Sequence, residues 1–315
     1  DKNYDANLDF VQLLFRKGHE FEYIVVNHLQ YKFDAGNFVT VGADSKDPAK
    51  EQETLQHMKD GVPFILQGVL RNPDNKTYGI PDMMVRNDIL SKIPENEECQ
   101  SFFNIDASSE LGNYHYRIID VKFTTLNYNA DGTYLLGSDA HKAQLAIYNQ
   151  ALGRMQGFLP PEAYLLGRNW KRTKNGIEIP GEGALDRLGV VDFFNTDREF
   201  NQKANDAVEW IRKVRSEGST WEVTPKPGEK QEDYRKELWP NCKNQSDYPW
   251  HNAKAKIADE LNELTKVWQI GPREREMAHA NGIFGWNDPD LTPEKIGITG
   301  PKRIKIMREV LKINN

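Results

Sequence analysis

Two cysteines in 315 residues, Cys99 and Cys242, are too few for a four-cysteine zinc or iron–sulfur site. Far apart in the chain, they read as unpaired thiols in a reducing interior. No run approaches the roughly 20 apolar residues that cross a bilayer, and no charged-then-apolar leader opens the sequence. The first residue is Asp1 rather than Met, so a fragment or trimmed chain is expected. A GxxxxGK[ST] loop is absent, which excludes a phosphate-loop motor within these residues. Repeats at solenoid periods and low-complexity tracts are absent too. Nor is there an excess of positive charge: 41 basic residues face 47 acidic ones, a net of −6. That balance excludes a general cationic field and leaves room for a local basic strip.

What is present is a globular composition on the polar side, 38% hydrophobic, 10% aromatic and 28% charged. The length suits one large domain with an appendage, or two domains. Leu8, Val11, Leu14, Phe15, Phe21, Val25 and Leu29 recur at three- and four-residue steps and predict a helix over 8–30. Residues 48–60 read as a polar surface helix ending at Gly61. A hairpin follows: a strand over Phe64–Leu70, a turn at Asn72-Pro73-Asp74-Asn75, and a return over Thr77–Val85. Further strands are expected at 116–123 and 163–166, the second trailed by a charged stretch, with helices at 141–152 and 201–214. Residues 219–250 are rich in Pro, Gly and charge and read as a linker or draped loop. Helices separated by short hairpins fill 251–315. The expectation is a mixed α/β domain over 1–218, a linker over 219–250 and a small all-α domain over 251–315.

The stretch Tyr116-Arg117-Ile118-Ile119-Asp120-Val121-Lys122-Phe123 carries most chemistry. Side chains alternate along a strand, so Asp120 and Lys122 share one face while Ile119, Val121 and Phe123 share the other. A carboxylate and an ammonium inside a sheet cost several kcal/mol unless paired or metal-bound, roughly as any buried ion does. The alternative is a strand end with an ordinary surface pair. Upstream lies Gly79-Ile80-Pro81-Asp82. Pro81 cannot donate to a ladder and marks an edge or bulge, from which Asp82 delivers a second carboxylate. Asp82, Asp120 and the backbone carbonyl of Val121 make an all-oxygen site suited to Mg²⁺ or Mn²⁺. With Lys122 orienting an attacking water, the set describes phosphodiester hydrolysis.

Pro81-Asp82 followed by Asp120-Val121-Lys122 resembles the PD-(D/E)XK nuclease signature. Gln144-Leu145-Ala146-Ile147-Tyr148 is similar to the QxxxY helix motif of its RecB-like branch. The resemblance covers roughly residues 10–170. It implies a mixed central sheet flanked by helices, the restriction-endonuclease-like core, and a metal-dependent deoxyribonuclease. It also implies that Gln144 and Tyr148 face the site and the DNA, and that a first-helix His or Glu completes the metal set. Glu22, four residues after Gly18, fits first and His19 second; a close helix-to-sheet approach would account for Gly18. DNA, single-stranded or with free ends, is the implied partner, and any helicase or second nuclease domain lies outside these residues. The implied location is intracellular: cytoplasmic, nuclear, or virus- or phage-encoded inside a host cell. A silent nucleic-acid- or protein-binding scaffold is the alternative.

Residues 270–283 and 296–311 resemble helix–hairpin–helix units. Gly297, Thr299, Gly300, Lys302 and Arg303 suit phosphate contact. A cluster from Arg168 to Lys174, with Trp170 between Arg168 and Lys171, is a second nucleic-acid surface or a charged loop tip.

Overall fold

The structure, a computed structural model, describes residues 9–42, 44–95, 108–224 and 230–314; Cys99 lies outside them. The chain divides into two compact units, Asp9–Ser216 and Glu217–Asn315.

In the first unit, Phe21, Val25 and Leu29 fall one turn apart. Helix α1 (Asp9–Phe33) lays that stripe on one face of a sheet, among Met83, Val85, Ile119 and Val121. Its first half does not follow the expected periodicity inward: Leu14 and Phe15 are exposed. The sheet is built from β1 (Phe38–Thr40), β2 (Phe64–Leu66), β5 (Met83–Arg86), β6 (Tyr116–Tyr128), β8 (Glu162–Lys174) and β10 (Gly189–Asp192), side by side in that order. Strand β7 (Leu135–Leu136) adds to β6 and β9 (Ile177–Pro180) to β8. Pairs β1–β2 and β6–β8 are parallel and the others antiparallel, so the sheet is mixed, as expected. Helix α2 (Pro48–Lys59), the short α3 (Asn87–Leu90), α4 (Asp139–Gln156) and α5 (Glu199–Glu217) complete the unit. Met58 of α2, Leu145 and Leu152 of α4 and Phe200 of α5 join Met84 and Ile118 in the core on the opposite face from α1.

Two expected strands are broken. Gln67 turns to a positive φ of 49°, ending β2, and the chain resumes as β3 (Leu70–Asn72). Among the described residues strand β3 pairs only with β4 (Thr77–Gly79), a separate two-stranded sheet closed by the expected turn. The return breaks at Pro81, which has no N–H for a ladder, and β5 then pairs with β2 and β6. The Arg168–Lys174 cluster is not a loop tip: it is the second half of β8, in a hairpin with β9.

The second unit contains α6 (His251–Glu260), α7 (Pro272–Ala280) and α8 (Pro301–Asn314), and Ile270, Ala278, Ile283, Ile296, Ile298, Met307 and Leu311 form its main core. The stretch read as a linker is partly core. Tyr234 and Trp239 are buried with Leu261, and the Cys242 N–H donates to Thr265 Oγ1 at 3.0 Å.

Candidate active site

Strand β6 enters the sheet centre as Ile118-Ile119, and β5 runs against it with Met84 opposite Ile118 and Met83 opposite Ile119. One further step of this register sets Asp82 opposite Asp120, and a second sets Pro81 opposite Val121. Pro81 has no N–H to offer the Val121 carbonyl, so the ladder stops. Asp82 fills part of the gap, its Oδ2 accepting the Val121 N–H at 2.6 Å. Two carboxylates thus meet where the ladder opens, which ordinary strand pairing disfavours. Asp120 is only 2% exposed. Lys122, on the same face, brings its Nζ to 2.6 Å from Asp120 Oδ2. That ion pair is the contact the buried Oδ2 makes.

The electrostatics follow from the crowding. Burial pushes the Asp82 pKa up to about 8, and the charges of Asp120 and then Glu22 push the same way, against Lys122 and the Val121 N–H. For Lys122, burial disfavours the cation, but Asp120 and Asp82 together outweigh it and the pKa rises. Asp82 and Asp120 therefore form a buried carboxylate pair beside a single cation, Lys122. A hard divalent cation fits such a donor set, which resembles the one- or two-carboxylate sites that leave Mg²⁺ room for water and phosphate.

Helix α4 covers this end of the sheet. Leu145, Ala146 and Leu152 point into the core, while His141, Gln144 and Tyr148 recur at three and four residues as a half-buried neighbouring stripe. Gln144 Nε2 donates to the Tyr148 hydroxyl at 3.0 Å. Burial raises the Tyr148 pKa, with Asp120 and Asp82 adding to it. The ring of Tyr148 lies on Gly79: a Cβ there would stand 2.2 Å from Tyr148 Cε1. His141 was not among the residues expected from sequence. Its pKa is lowered by burial and then by the charge of Lys122, with Asp120 opposing, so it lies within electrostatic reach of both. The signal that could have found it is its spacing of three and seven residues from Gln144 and Tyr148.

No family model matches the chain, and no curated protein sequence matches it. The site thus rests on its own geometry. Asp82, Asp120, Lys122, Val121, Gln144 and Tyr148 are brought together. Glu22 is half-buried and near enough to act on Asp82, yet among the described residues no three of His, Cys, Asp and Glu gather at metal-ligand spacing. His19 is exposed on α1. A Cβ at Gly18 would meet nothing within 4 Å, so the expected close approach of helix to sheet does not account for that glycine. Arg168 is exposed and lies over the Phe123 ring at 4.9 Å, while Lys171 is paired with Glu178 at 2.6 Å. In the second unit Thr299, Gly300, Lys302 and Arg303 are exposed around the start of α8. Gly297, at φ 75°, lies against Met277, where a Cβ would stand 2.3 Å from the sulfur. Among the described residues, no helix is long and apolar enough to cross a membrane.

Proposed function

We propose that the protein is a divalent-metal-dependent nuclease that hydrolyses phosphodiester bonds of DNA, on a restriction-endonuclease-like core of the RecB-like kind with a small helical C-terminal domain. The observation that supports it most is the opposition of Asp82 and Asp120 where Pro81 stops the ladder, with Lys122 on the same face. Asp82, Asp120 and the Val121 carbonyl would hold the cation. When bound, a hard divalent cation supplies charge that polarises the phosphate and lowers the cost of its attack. Lys122, its pKa raised, stays protonated near neutral pH. It therefore orients the attacking water and favours its deprotonated form by charge, without taking the proton. His141, kept neutral by its lowered pKa, is able to accept one. Gln144 and Tyr148, linked to each other, present an amide and a hydroxyl to the strand.

Lys122→Ala tests the reading. With labelled single- and double-stranded DNA and Mn²⁺, cleavage is expected to fall by about 100-fold or more, the scale of removing one donor that stabilises a transition state. Undiminished cutting by the pure variant overturns this active site. Calorimetric titration with Mn²⁺ separates the nuclease from a silent scaffold, which binds no stoichiometric metal.

A further inference from the structure

Beside Gln144 and Tyr148 opens a cavity of about 340 Å³, within the range of about 300–1,000 Å³ typical of small-ligand pockets. One wall is shared with the candidate site, since Gln144 and Tyr148 line both. The opposite wall is a single face of α5, carrying Ile211, Arg212 and Arg215. The β3–β4 hairpin supplies Lys76 and Tyr78. Three cations thus surround the cavity, and among the described residues no acidic side chain lines it. In a chain with a net charge of −6 this is a local inversion of sign. Arg212 donates to the Asn75 carbonyl, which fixes its guanidinium against the hairpin. Lys76 and Arg215 are exposed, and among the described residues neither has an acidic side chain in ion-pair range. Between the cations the surface is apolar and aromatic: Tyr78 is 44% exposed and Ile211 49%, with Ile147 behind them.

We propose that this groove receives the nucleotide next to the scissile phosphate in a single strand of DNA. The base lies on Tyr78, Ile147 and Ile211, and the flanking phosphates meet Lys76, Arg212 and Arg215. Charge complementarity selects a polyanion. The apolar floor selects a strand whose bases are unpaired, because a duplex keeps its base faces stacked away from such a surface. The placement beside the scissile phosphate rests on the nuclease reading; the strand-binding groove does not.

The test measures binding without cleavage. Fluorescence anisotropy follows a labelled oligodeoxythymidylate of about 15 nucleotides, long enough for a groove of this kind, and a duplex of equal length. Each is titrated in EDTA and again in Ca²⁺, against the wild-type protein, the pair Lys76→Glu with Arg215→Glu, and Tyr78→Ala. All three altered side chains are exposed, so unchanged thermal melting is expected. The charge reversals should weaken single-strand binding tenfold or more. They should also flatten the salt dependence by about 0.7 for each phosphate no longer neutralised. Tyr78→Ala should weaken single-strand binding by about tenfold, the effect of removing one stacking platform, and leave duplex binding almost unchanged. Equal losses for strand and duplex, unchanged single-strand affinity, or no binding by the wild type in either buffer each overturn the groove. If Lys122→Ala cuts undiminished while these losses appear, the nuclease reading fails and the groove stands as a strand-binding site.

Discussion

Asp82 stands opposite Asp120 at a ladder end, and burial with that neighbour lifts its pKa from 3.8 to about 8. In the unfolded chain the same carboxyl ionises near 3.8, so between pH 4 and 8 unfolding releases a proton that the folded protein holds. The stability from this group is complete below pH 4 and is lost as pH rises toward 8, with a slope of at most about 1.4 kcal/mol per pH unit. Asp82→Asn keeps an oxygen for the Val121 N–H and removes the ionisation. In chelator, the wild type is therefore expected to lose stability relative to Asp82→Asn between pH 5 and pH 8, read from urea midpoints. Parallel curves would show that Asp82 ionises normally. Added Mn²⁺ should raise the wild-type midpoint more at pH 8 than at pH 5, because the ion binds the deprotonated pair. These carboxylates were legible in the sequence because charge inside an apolar strand is costly, and Pro81 beside Asp82 announced a ladder end. His141 was not legible: a single histidine near a helix start carries no such cost, and only the fold brings it within electrostatic reach of Lys122 and Asp120.

Helix α4 and the β3–β4 hairpin meet at Gly79, whose missing side chain lets the Tyr148 ring lie on the backbone. Gly79→Ala would place a methyl 2.2 Å from that ring. The expected outcome is a loss of about 1–3 kcal/mol from overpacking, with reduced cleavage as Tyr148 is displaced. Chemical denaturation and a DNA-cutting assay on one preparation check both. The other side of α4 is tied by Lys142, whose Nζ contacts Asp197 at 2.7 Å and the Leu135 carbonyl at 2.9 Å, with both charged side chains only 6% exposed. Lys142→Met leaves a buried carboxylate unpaired and is expected to cost about 3–5 kcal/mol. A change under about 1 kcal/mol would mean that the Asp192 N–H, 3.1 Å from Asp197, suffices. Helices α2 and α4 were readable from residue order, α2 as a polar run ending at Gly61. The break after β2 was not, because Gln67 adopts a positive φ that its residue type does not signal. The far half of β8 was hidden for a different reason. Its polar residues pair with β7-bearing β6 and with β9, and backbone pairing asks little of side-chain hydropathy.

At the scale of the whole chain, each unit's cores are made of its own residues. The two core clusters of the first unit end at Ala204, and those of the second begin at Tyr234. Composition ended the first domain at 218, two residues from the division at Ser216, but read 219–250 as a linker because Pro, Gly and charge dominate it, while Tyr234 and Trp239 within it are buried with Leu261. A chain ending at Ser216 retains every residue of the candidate site and of the groove beside it. It is expected to unfold in one cooperative transition and to keep Lys122-dependent cutting of single-stranded DNA. Failure to fold would show that the second unit completes the first. If Lys302 and Arg303 contact phosphates in the full chain, the shortened one should bind duplex DNA more weakly. Its salt dependence should then be shallower by about 0.9 for each phosphate left without its cation. Equal slopes would leave the exposed start of α8 without a role in DNA binding and confine recognition to the first unit.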